Sequence, residues 1–295
     1  MTIVTLGRPN GLMNIHGNTN GADASATKTV YLITGASRGV GKGLVAAFLL
    51  RPNSVVVAGV RNPASQKAAL QELPKSDNSE LIVVKLDCAS ETDAADAVEE
   101  LRTQHGIAHL DVVVANAAIA ENYGPASTLR LEHLHNHMKT NTYSVLSLFQ
   151  ASRPLLELAG PGNAKFVLIG APISTITEME SCARAPLSAY GVTKLAASYL
   201  VRKFHFENKW LVAFIIDPGH VQTDMGAQGA RLMGRKEAPV TIDDSVNGIC
   251  ARVGVRPGTF TNYVADRLSK QIDGATKEES SGHFLLFEDG RKLPW

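Results

Sequence analysis

Short apolar stretches separated by helical patterns recur along this chain. Within the stretches, valine, isoleucine and leucine occupy successive positions rather than alternate ones. Parallel strands that are covered on both faces have this appearance, whereas strands with one wet face alternate. The pattern predicts strands at residues 30–34, 54–60, 81–86, 112–115, 164–169, 211–216 and 284–287.

Helical periodicity fills the intervals between these stretches. It predicts helices at 92–105, 132–158 and 189–208, with a break in the second near Pro154. Regular alternation of strands and helices predicts an α/β fold with a doubly wound parallel sheet and helices on both faces. Residues 226–239, rich in glycine, alanine and basic residues, fit either a lid over a ligand crevice or an ordinary surface loop.

Composition narrows the class of protein. The 295 residues are 44% hydrophobic and carry a formal net charge of +1, which gives no argument for nucleic acid or an anionic membrane as a partner. No apolar run reaches 18 residues, so we expect no transmembrane helix. Three widely spaced cysteines argue against a disulfide framework and against structural zinc, and favour a reducing, cytoplasmic location. We expect no metal site.

Residues 1–28 differ from the rest of the chain. Asparagine and glycine recur there without periodicity, and no basic region precedes an apolar core, so we do not interpret the segment as a secretory signal. We expect a flexible or surface-draped arm, with an arm that contacts a partner as the alternative. Residues 29–295 are then one domain.

A glycine-rich turn follows the first predicted strand directly and opens a helical pattern. Glycines at 35, 39 and 41 allow a sharp turn and close approach of a pyrophosphate. The helix N-terminus adds unpaired N–H groups and a positive dipole end. In this strand–turn–helix context we predict a Rossmann fold that binds a dinucleotide. The candidate cofactor-binding residues of the turn are Gly35, Ser37, Arg38, Gly39, Val40 and Gly41.

The end of the second strand indicates which dinucleotide is bound. Sites for NAD usually carry a carboxylate there for the ribose 2′-hydroxyl, but this chain has Arg61. Arg38 adds a second guanidinium within the glycine turn. Because an arginine pairs with a 2′-phosphate, we predict NADP(H). The alternative is that Arg61 is merely a solvated charge.

Tyr190 and Lys194 lie four residues apart, which places both side chains on one face of a predicted helix. An ammonium held near a phenol favours the phenolate, so the pair could exchange a proton near neutral pH. A surface tyrosine beside a solvated lysine is the alternative. The position after the fifth strand, downstream of the glycine turn, favours catalysis.

The order of these motifs resembles the short-chain dehydrogenase/reductase family over about residues 28–295. Residues 284–290, together with Leu293-Pro294-Trp295, resemble a fungal subgroup of carbonyl and norsolorinic-acid-type polyketide ketoreductases. The motifs that carry the family resemblance are the glycine turn, Asp87, Asn116, Asn141, the Tyr190–Lys194 pair and Pro218-Gly219-His220-Val221-Gln222-Thr223.

The resemblance implies a catalytic role for three residues. Tyr190 would give a proton to a carbonyl oxygen as hydride arrives from the nicotinamide. Lys194 would lower the pKa of the tyrosine and bind the nicotinamide ribose, and Asn141 would hold a water that extends the proton relay. The alternative for Asn141 is a buried helix amide.

The resemblance also implies cofactor contacts outside the glycine turn. Asp87 would contact the adenine, although it could simply cap the turn after its strand. Asn116 would lie near the adenosine ribose, and Val221 and Thr223 would meet the nicotinamide carboxamide.

The chain departs from the family pattern in two places. The family has serine at the end of the fifth strand, where this chain has Gly170 and Ala171; Ser174 is the candidate substitute. Ala118 replaces a glycine of the family and would narrow the approach to the cofactor. The long segment 173–187 carries Ile173, Ile176, Met179 and Leu187, which suggests a bulky apolar substrate or else core contacts.

Together these observations predict an NADP(H)-dependent ketoreductase that acts on a bulky, apolar, secondary-metabolite carbonyl. The missing serine keeps open a non-redox enzyme of the same fold, such as a cyclase, isomerase or dehydratase. A non-catalytic NADP-binding sensor is the third hypothesis. The resemblance implies a homodimer or homotetramer associating through the helices of Asn141 and Tyr190, and the apolar positions expected there are Val145, Leu148, Phe149, Leu195, Ser198, Tyr199 and Arg202.

Overall fold

Eight strands form one sheet in the computed structural model, which describes residues 28–159, 163–254 and 275–295. All seven predicted stretches form strands, and a short eighth strand follows them. The predicted arm lies outside the described residues except for Lys28. The strands are β1 (Thr29–Thr34), β2 (Ser54–Val60), β3 (Glu80–Lys85), β4 (Val112–Ala115), β5 (Lys165–Ile169), β6 (Val212–Asp217), β7 (Phe284–Leu286) and β8 (Lys292–Leu293).

The strand order is β3-β2-β1-β4-β5-β6-β7-β8. The first seven strands are parallel, and β8 pairs antiparallel with β7. Because β1 is bonded to β2 on one side and to β4 on the other, the winding reverses at β1 and β4. Ligands of open α/β sheets bind in the crevice beyond the carboxyl ends of the strands at such a reversal. The topology therefore confirms the predicted doubly wound fold. It also predicts that the site lies beyond the carboxyl ends of β1 and β4.

Helices cover both faces of the sheet. Alternate strand residues such as Leu32 and Phe166 face the layer that contains α3, α5 and α7. The intervening residues, such as Ile33 and Phe214, face α1 and α9. The helices are α1 (Gly39–Leu49), α2 (Pro63–Gln71), α3 (Asp93–Gln104), α4 (Leu131–Met138), α5 (Ser144–Glu157), α6 (Met179–Cys182), α7 (Ser188–Glu207), α8 (Asp224–Leu232) and α9 (Ile242–Val253). None of the described helices combines the length and apolar character that crossing a bilayer demands.

The predicted helix at 132–158 is interrupted at a different place from the one expected. Pro154 lies inside α5 without ending it. The irregularity is instead a π-helical turn at Lys139–Tyr143, between α4 and α5. Single π turns inside helices often mark functional sites, and this one carries Asn141.

Residues 226–239 are not simply a loop. Their first part belongs to α8, and the remainder leads back to the sheet through a parallel bridge between Val221 and Val240. Thr223 caps α8, since its hydroxyl oxygen accepts the N–H of Gly226 at 3.1 Å. The glycine and alanine content that suggested a loop did not prevent a capped helix beside the crevice.

Candidate active site

The glycine turn between β1 and α1 is shaped by two left-handed residues and one close approach. Gly35 has φ +66° and Gly39 has φ +55°, a region that favours glycine. At Gly41 a Cβ would lie 2.3 Å from the carbonyl oxygen of Gly35. Any side chain there would push α1 away from the turn. The result is a compact backbone cradle at the N-terminus of α1.

A seam of hydrogen bonds joins β1 to β4 beneath this cradle. Asn116 donates from Nδ2 to the carbonyl oxygen of Thr34 at 2.9 Å. The Thr34 hydroxyl oxygen in turn accepts the N–H groups of Asn116 and Ala117, each at 3.1 Å. Asn116 therefore holds the two central strands in place at the reversal. A contact between Asn116 and the cofactor was predicted from the resemblance. In the structure Asn116 also holds β1 and β4 together.

The two candidate phosphate-binding arginines differ in their surroundings. Arg38 pairs with Asp224 of α8 at 2.7 Å, with both side chains largely exposed. Such a pair contributes little stability, less than about 1 kcal/mol. Arg61 is exposed at the end of β2 and has no ion-pair partner among the described residues. Arg61 is thus better placed to meet a 2′-phosphate, and Arg38 would have to leave Asp224 to assist.

Asp87 stabilises the turn after β3. Its Oδ1 accepts the N–H of Ala89 at 3.0 Å, and its own N–H is donated to Asp93 at 2.9 Å. The turn-capping alternative for Asp87 is therefore present in the structure. A contact to adenine from the remaining oxygen stays a prediction.

Helix α7 brings Tyr190 and Lys194 to the carboxyl edge of β5. Lys194 is only 2% exposed, and its ammonium donates a hydrogen bond to the carbonyl oxygen of Ile169, the last residue of β5. Tyr190 is half-buried one turn earlier. Its hydroxyl makes no hydrogen bond within the part of the chain that the structure describes, so the hydroxyl is available as a donor.

Asn141 links the π turn to α7 and to the loop after β4. Its Nδ2 donates to the carbonyl oxygen of Ile119 at 2.9 Å and to Thr193 Oγ1 at 3.0 Å, and its Oδ1 accepts the Ile119 N–H at 2.8 Å. Thr193 donates onward to the carbonyl oxygen of Tyr190 at 3.0 Å. Both N–H groups of the amide are therefore committed to the protein. The side chain positions α7, and only acceptor capacity is left for a water.

The pKa shifts of the pair run opposite to the expectation drawn from their spacing. Burial, the nearby Asp217 carboxylate and the Tyr123 phenol raise the pKa of Tyr190. Burial lowers the pKa of Lys194 to about 8. Burial is the first cause of both shifts, and the Lys194 ammonium is bonded to Ile169 rather than to the phenol. At neutral pH the phenol keeps its proton, and most Lys194 side chains keep their charge.

Comparison with known proteins agrees with this geometry. A family model described as short chain dehydrogenase matches residues 29–231. The chain belongs to the short-chain dehydrogenase family. It is 64% identical over 293 residues to a norsolorinic acid ketoreductase of Dothistroma septosporum, covering 99% of this chain and 97% of that protein. A norsolorinic acid ketoreductase of Emericella nidulans is 60% identical over 92% of this chain and 95% of its own length.

A solved structure matches the fold of this short-chain dehydrogenase. The NADPH-bound carbonyl reductase from chicken fatty liver superposes with a TM-score of 0.72, covering 91% of this chain and the whole of the other. Sequence identity between the two is 23%, so the match is evidence for the fold alone.

Gly170 departs from the pattern of short-chain dehydrogenases for a steric reason. A Cβ there would lie 2.5 Å from Ile215 Cγ2 and 2.8 Å from the Phe284 ring. The packing of β5 against β6 and β7 therefore excludes a serine. Ser174 is buried in the 3-10 turn Pro172–Ser174, and its hydroxyl donates to the carbonyl oxygen of Ala171 at 2.7 Å. It reaches a substrate as a donor only by breaking that bond.

Val221 and Thr223 lie on the turn between β6 and α8, as the family motif implied. Val221 is buried and forms the bridge to Val240. Thr223 Cγ2 lies 3.1 Å from the position of a Cβ on Gly39, which brings the turn against the glycine cradle. The segment predicted to hold the pyrophosphate and the segment predicted to meet the nicotinamide carboxamide thus lie side by side.

Asp217 acts on the Tyr190 phenol through its charge, although none of the sequence motifs includes it. It ends β6, is 4% exposed, and accepts the N–H of Gly219 at 2.9 Å. Strand alternation directs its side chain to the face of α7, like that of Ile215. Burial and the Glu288 carboxylate raise the pKa of Asp217 to about 6, and the Gly219 N–H opposes the shift. The sequence feature that could have identified Asp217 is a carboxylate at the end of an otherwise apolar strand.

Replacing Asp217 with asparagine tests this burial. Because the pKa in the folded protein is raised from 3.8 to about 6, the folded state binds more protons than the unfolded state between those values. The unfolding free energy of the wild type should therefore fall, relative to Asp217→Asn, by on the order of 2 kcal/mol from pH 4 to pH 6. Denaturant titrations across this range measure it.

The Asp217→Asn variant keeps a side-chain oxygen that can accept the Gly219 N–H. The wild type and the variant should therefore have the same turn geometry and differ only in charge. Glu288→Gln, which removes the charge that helps to raise the Asp217 pKa, should narrow the same difference. A gap between wild type and Asp217→Asn that is independent of pH would contradict the assignment.

Proposed function

We propose that the protein is a cytoplasmic, NADP(H)-dependent ketoreductase that reduces the carbonyl of a bulky apolar secondary metabolite, with norsolorinic acid as the first candidate. The observation that carries this proposal is the Tyr190–Lys194 pair on α7, at the carboxyl edge of the sheet beside the glycine cradle. The names of the two norsolorinic acid ketoreductase relatives support the substrate.

The protonation states favour reduction. When bound, the cofactor supplies hydride to the carbonyl carbon. Tyr190 donates the proton that the carbonyl oxygen needs, and a raised pKa keeps that proton in place until negative charge develops on the oxygen. The Lys194 ammonium, buried behind β5, stabilises the phenolate that remains. Asn141 keeps α7 in register through Thr193.

The backbone cradle fits a dinucleotide. Gly41 carries no side chain, so α1 packs closely against the turn, and the N-terminus of α1 lies beside it. Arg61 would pair with the 2′-phosphate. In the proposal the remaining contacts come from Gly35, Ser37, Arg38, Gly39, Val40, Asp87, Asn116, Val221 and Thr223.

Exposed apolar side chains on both rims of the crevice support a bulky substrate. Ile176 and Met179 lie on the segment after β5, and Met225, Leu232 and Met233 lie on or directly after α8. Isolated exposed apolar residues are common, but two groups of them on the segments that follow neighbouring strands favour a ligand groove. Methionine adapts its shape to a large ring system.

Tyr190→Phe tests the reductase directly. With NADPH and norsolorinic acid, absorbance at 340 nm should fall for the wild type, and kcat should drop by about 10²–10⁴-fold in the variant because the proton donor is lost. Tyr199→Phe, on the exposed part of the same helix, is the matched control and should retain full activity.

The missing serine specifically favours one rival, the non-redox enzyme. Product that forms without consumption of NADPH would establish that rival and overturn the reductase. Tight NADPH binding without any turnover across a panel of ketones and quinones would instead support a sensor.

Arg61→Ala tests the choice of cofactor. Removing the guanidinium that faces a 2′-phosphate should raise the KM for NADPH about tenfold and leave the KM for NADH unchanged. Arg38→Ala is the comparison, with a smaller expected effect because Arg38 is already paired with Asp224. Equal effects of Arg61→Ala on both cofactors would count against selection of NADP(H).

We propose a homodimer or homotetramer formed through α7. Of the positions expected at this interface, four are wrong because they are buried within the single chain: Val145, Leu148, Phe149 and Ser198. The exposed apolar residues on this side are Tyr143, Val192, Tyr199 and Phe206. Positions 192, 199 and 206 recur every seven residues, so they share one helix face.

Light scattering on the purified protein measures this association. We expect a mass of at least twice 31.5 kDa for the wild type. Tyr199→Glu should dissociate the oligomer because it places a charge in the apolar stripe. A single-chain mass for the wild type would overturn the proposal.

A further inference from the structure

The segment between β5 and α7 forms one wall of the crevice and has few attachments. Most of its backbone hydrogen bonds are local turns between residues two to four positions apart. Gly170, at its start, donates to the carbonyl oxygen of Ile216 at 2.7 Å, and within the described part of the chain residues 171–187 bond to remote backbone at two further places. Gly124 donates to the carbonyl oxygen of Pro186 at 2.9 Å, and Thr177 donates to the carbonyl oxygen of Trp295 at 3.0 Å.

Trp295 is itself held firmly. The β7–β8 pairing, with Phe284 opposite Leu293, brings the chain back along the sheet. The indole ring lies 4.5 Å from the guanidinium carbon of Arg202 on α7, and its centroid is 6.4 Å from that of Phe284. A cation over an indole face is a favourable contact. The anchor for Thr177 therefore rests on both the sheet and the catalytic helix.

The Thr177 attachment is doubled. Besides the backbone N–H, the Thr177 hydroxyl also donates to the Trp295 carbonyl oxygen. Thr177 is exposed, so neither donor is required for the folding of the core. Two donors converging on one acceptor fix the backbone at this point more tightly than either would alone.

The fixed point lies beside the apolar wall. Ile176 precedes Thr177, Met179 follows two residues later, and both side chains are more than half exposed. At its start the segment touches the catalytic helix, since the Ile173 carbonyl oxygen is 3.2 Å from the position of a Cβ on Gly191. A shift at Thr177 would therefore move Ile176 and Met179 relative to Tyr190.

We propose that Trp295 is a positioning residue for substrate, because it fixes Thr177 and so sets the position of the apolar wall formed by Ile176 and Met179. The inference rests on the proposed ketoreductase function for the identity of the substrate, but not for the attachment itself. The wall matters for a large ketone that reaches it and not for a small one that contacts only Tyr190.

Hydrogen exchange tests the attachment without any catalysis. In Trp295→Ala, backbone amides of residues 175–185 should exchange about tenfold faster than in the wild type, while peptides over 226–236 on the opposite rim stay unchanged. Trp295→Phe keeps an aromatic ring over Arg202 and should restore slow exchange. Unchanged exchange at 175–185 in Trp295→Ala would overturn the proposal.

Steady-state kinetics test the consequence for substrate. With norsolorinic acid, Trp295→Ala should raise KM about tenfold and change kcat less than twofold, since Tyr190 and Lys194 are untouched. With a small aliphatic ketone such as butanone both constants should stay within twofold, and Trp295→Phe should restore the KM for the large ketone. Equal loss for both ketones would show a general structural role and contradict the proposal.

Thr177→Ala tests the same attachment independently, in case the Trp295 variants misfold. It removes only the exposed hydroxyl donor and should give a smaller change of the same kind, in both exchange and KM. If the wild type reduces neither ketone, the ketoreductase proposal fails, and the exchange experiment still decides whether Trp295 holds the segment.

Discussion

The seam between β1 and β4 is the constraint on which the site depends. Thr34 and Asn116 bond reciprocally across it, and the same Asn116 amide lies 2.5 Å from where a Cβ on Gly41 would be. The strand order reverses here, so the seam is also the floor of the crevice. A side chain at Gly41 would push α1 outward and open the cradle. The roles proposed for the side chains above the floor therefore depend on the shape of the backbone at the floor.

Two oppositely charged groups are buried near the floor without pairing to each other. The Lys194 ammonium is bonded to the Ile169 carbonyl oxygen, and the Asp217 carboxylate accepts the Gly219 N–H. Burial moves the pKa of each group toward neutrality, to about 8 and about 6. The site thus contains one positively charged ammonium, and one carboxylate whose negative charge opposes ionisation of Tyr190. Such a balance favours a protonated phenol over a phenolate, and a protonated phenol is the form that a carbonyl reductase requires.

The fold was largely predictable because its signals are local. Successive apolar positions predict buried parallel strands, and the glycine turn marks the reversal. The π turn at Asn141 was not predictable, since the bond of Asn141 to Thr193 joins residues remote in sequence. The cap of α8 by Thr223 is local, but the bridge between Val221 and Val240 is not. The contact of Trp295 with Thr177 spans 118 positions and leaves no local pattern. For Asp217, the residue type was visible, but its burial depended on the packing of α7 and β7.

The absence of serine after β5 follows from packing rather than from a change in chemistry. Gly170 lets Phe284 of β7 and Ile215 of β6 approach the end of β5, and Phe284 in turn lies beside Trp295. A serine at 170 would separate these groups, and the hairpin that carries Trp295 to Thr177 would lose its support. In the proposed reductase, an anchored wall would then surround the substrate without a hydroxyl at position 170 beside it. The negative charge that develops on a carbonyl oxygen must then be met mainly by Tyr190, whose free hydroxyl and raised pKa suit it to donate as that charge appears.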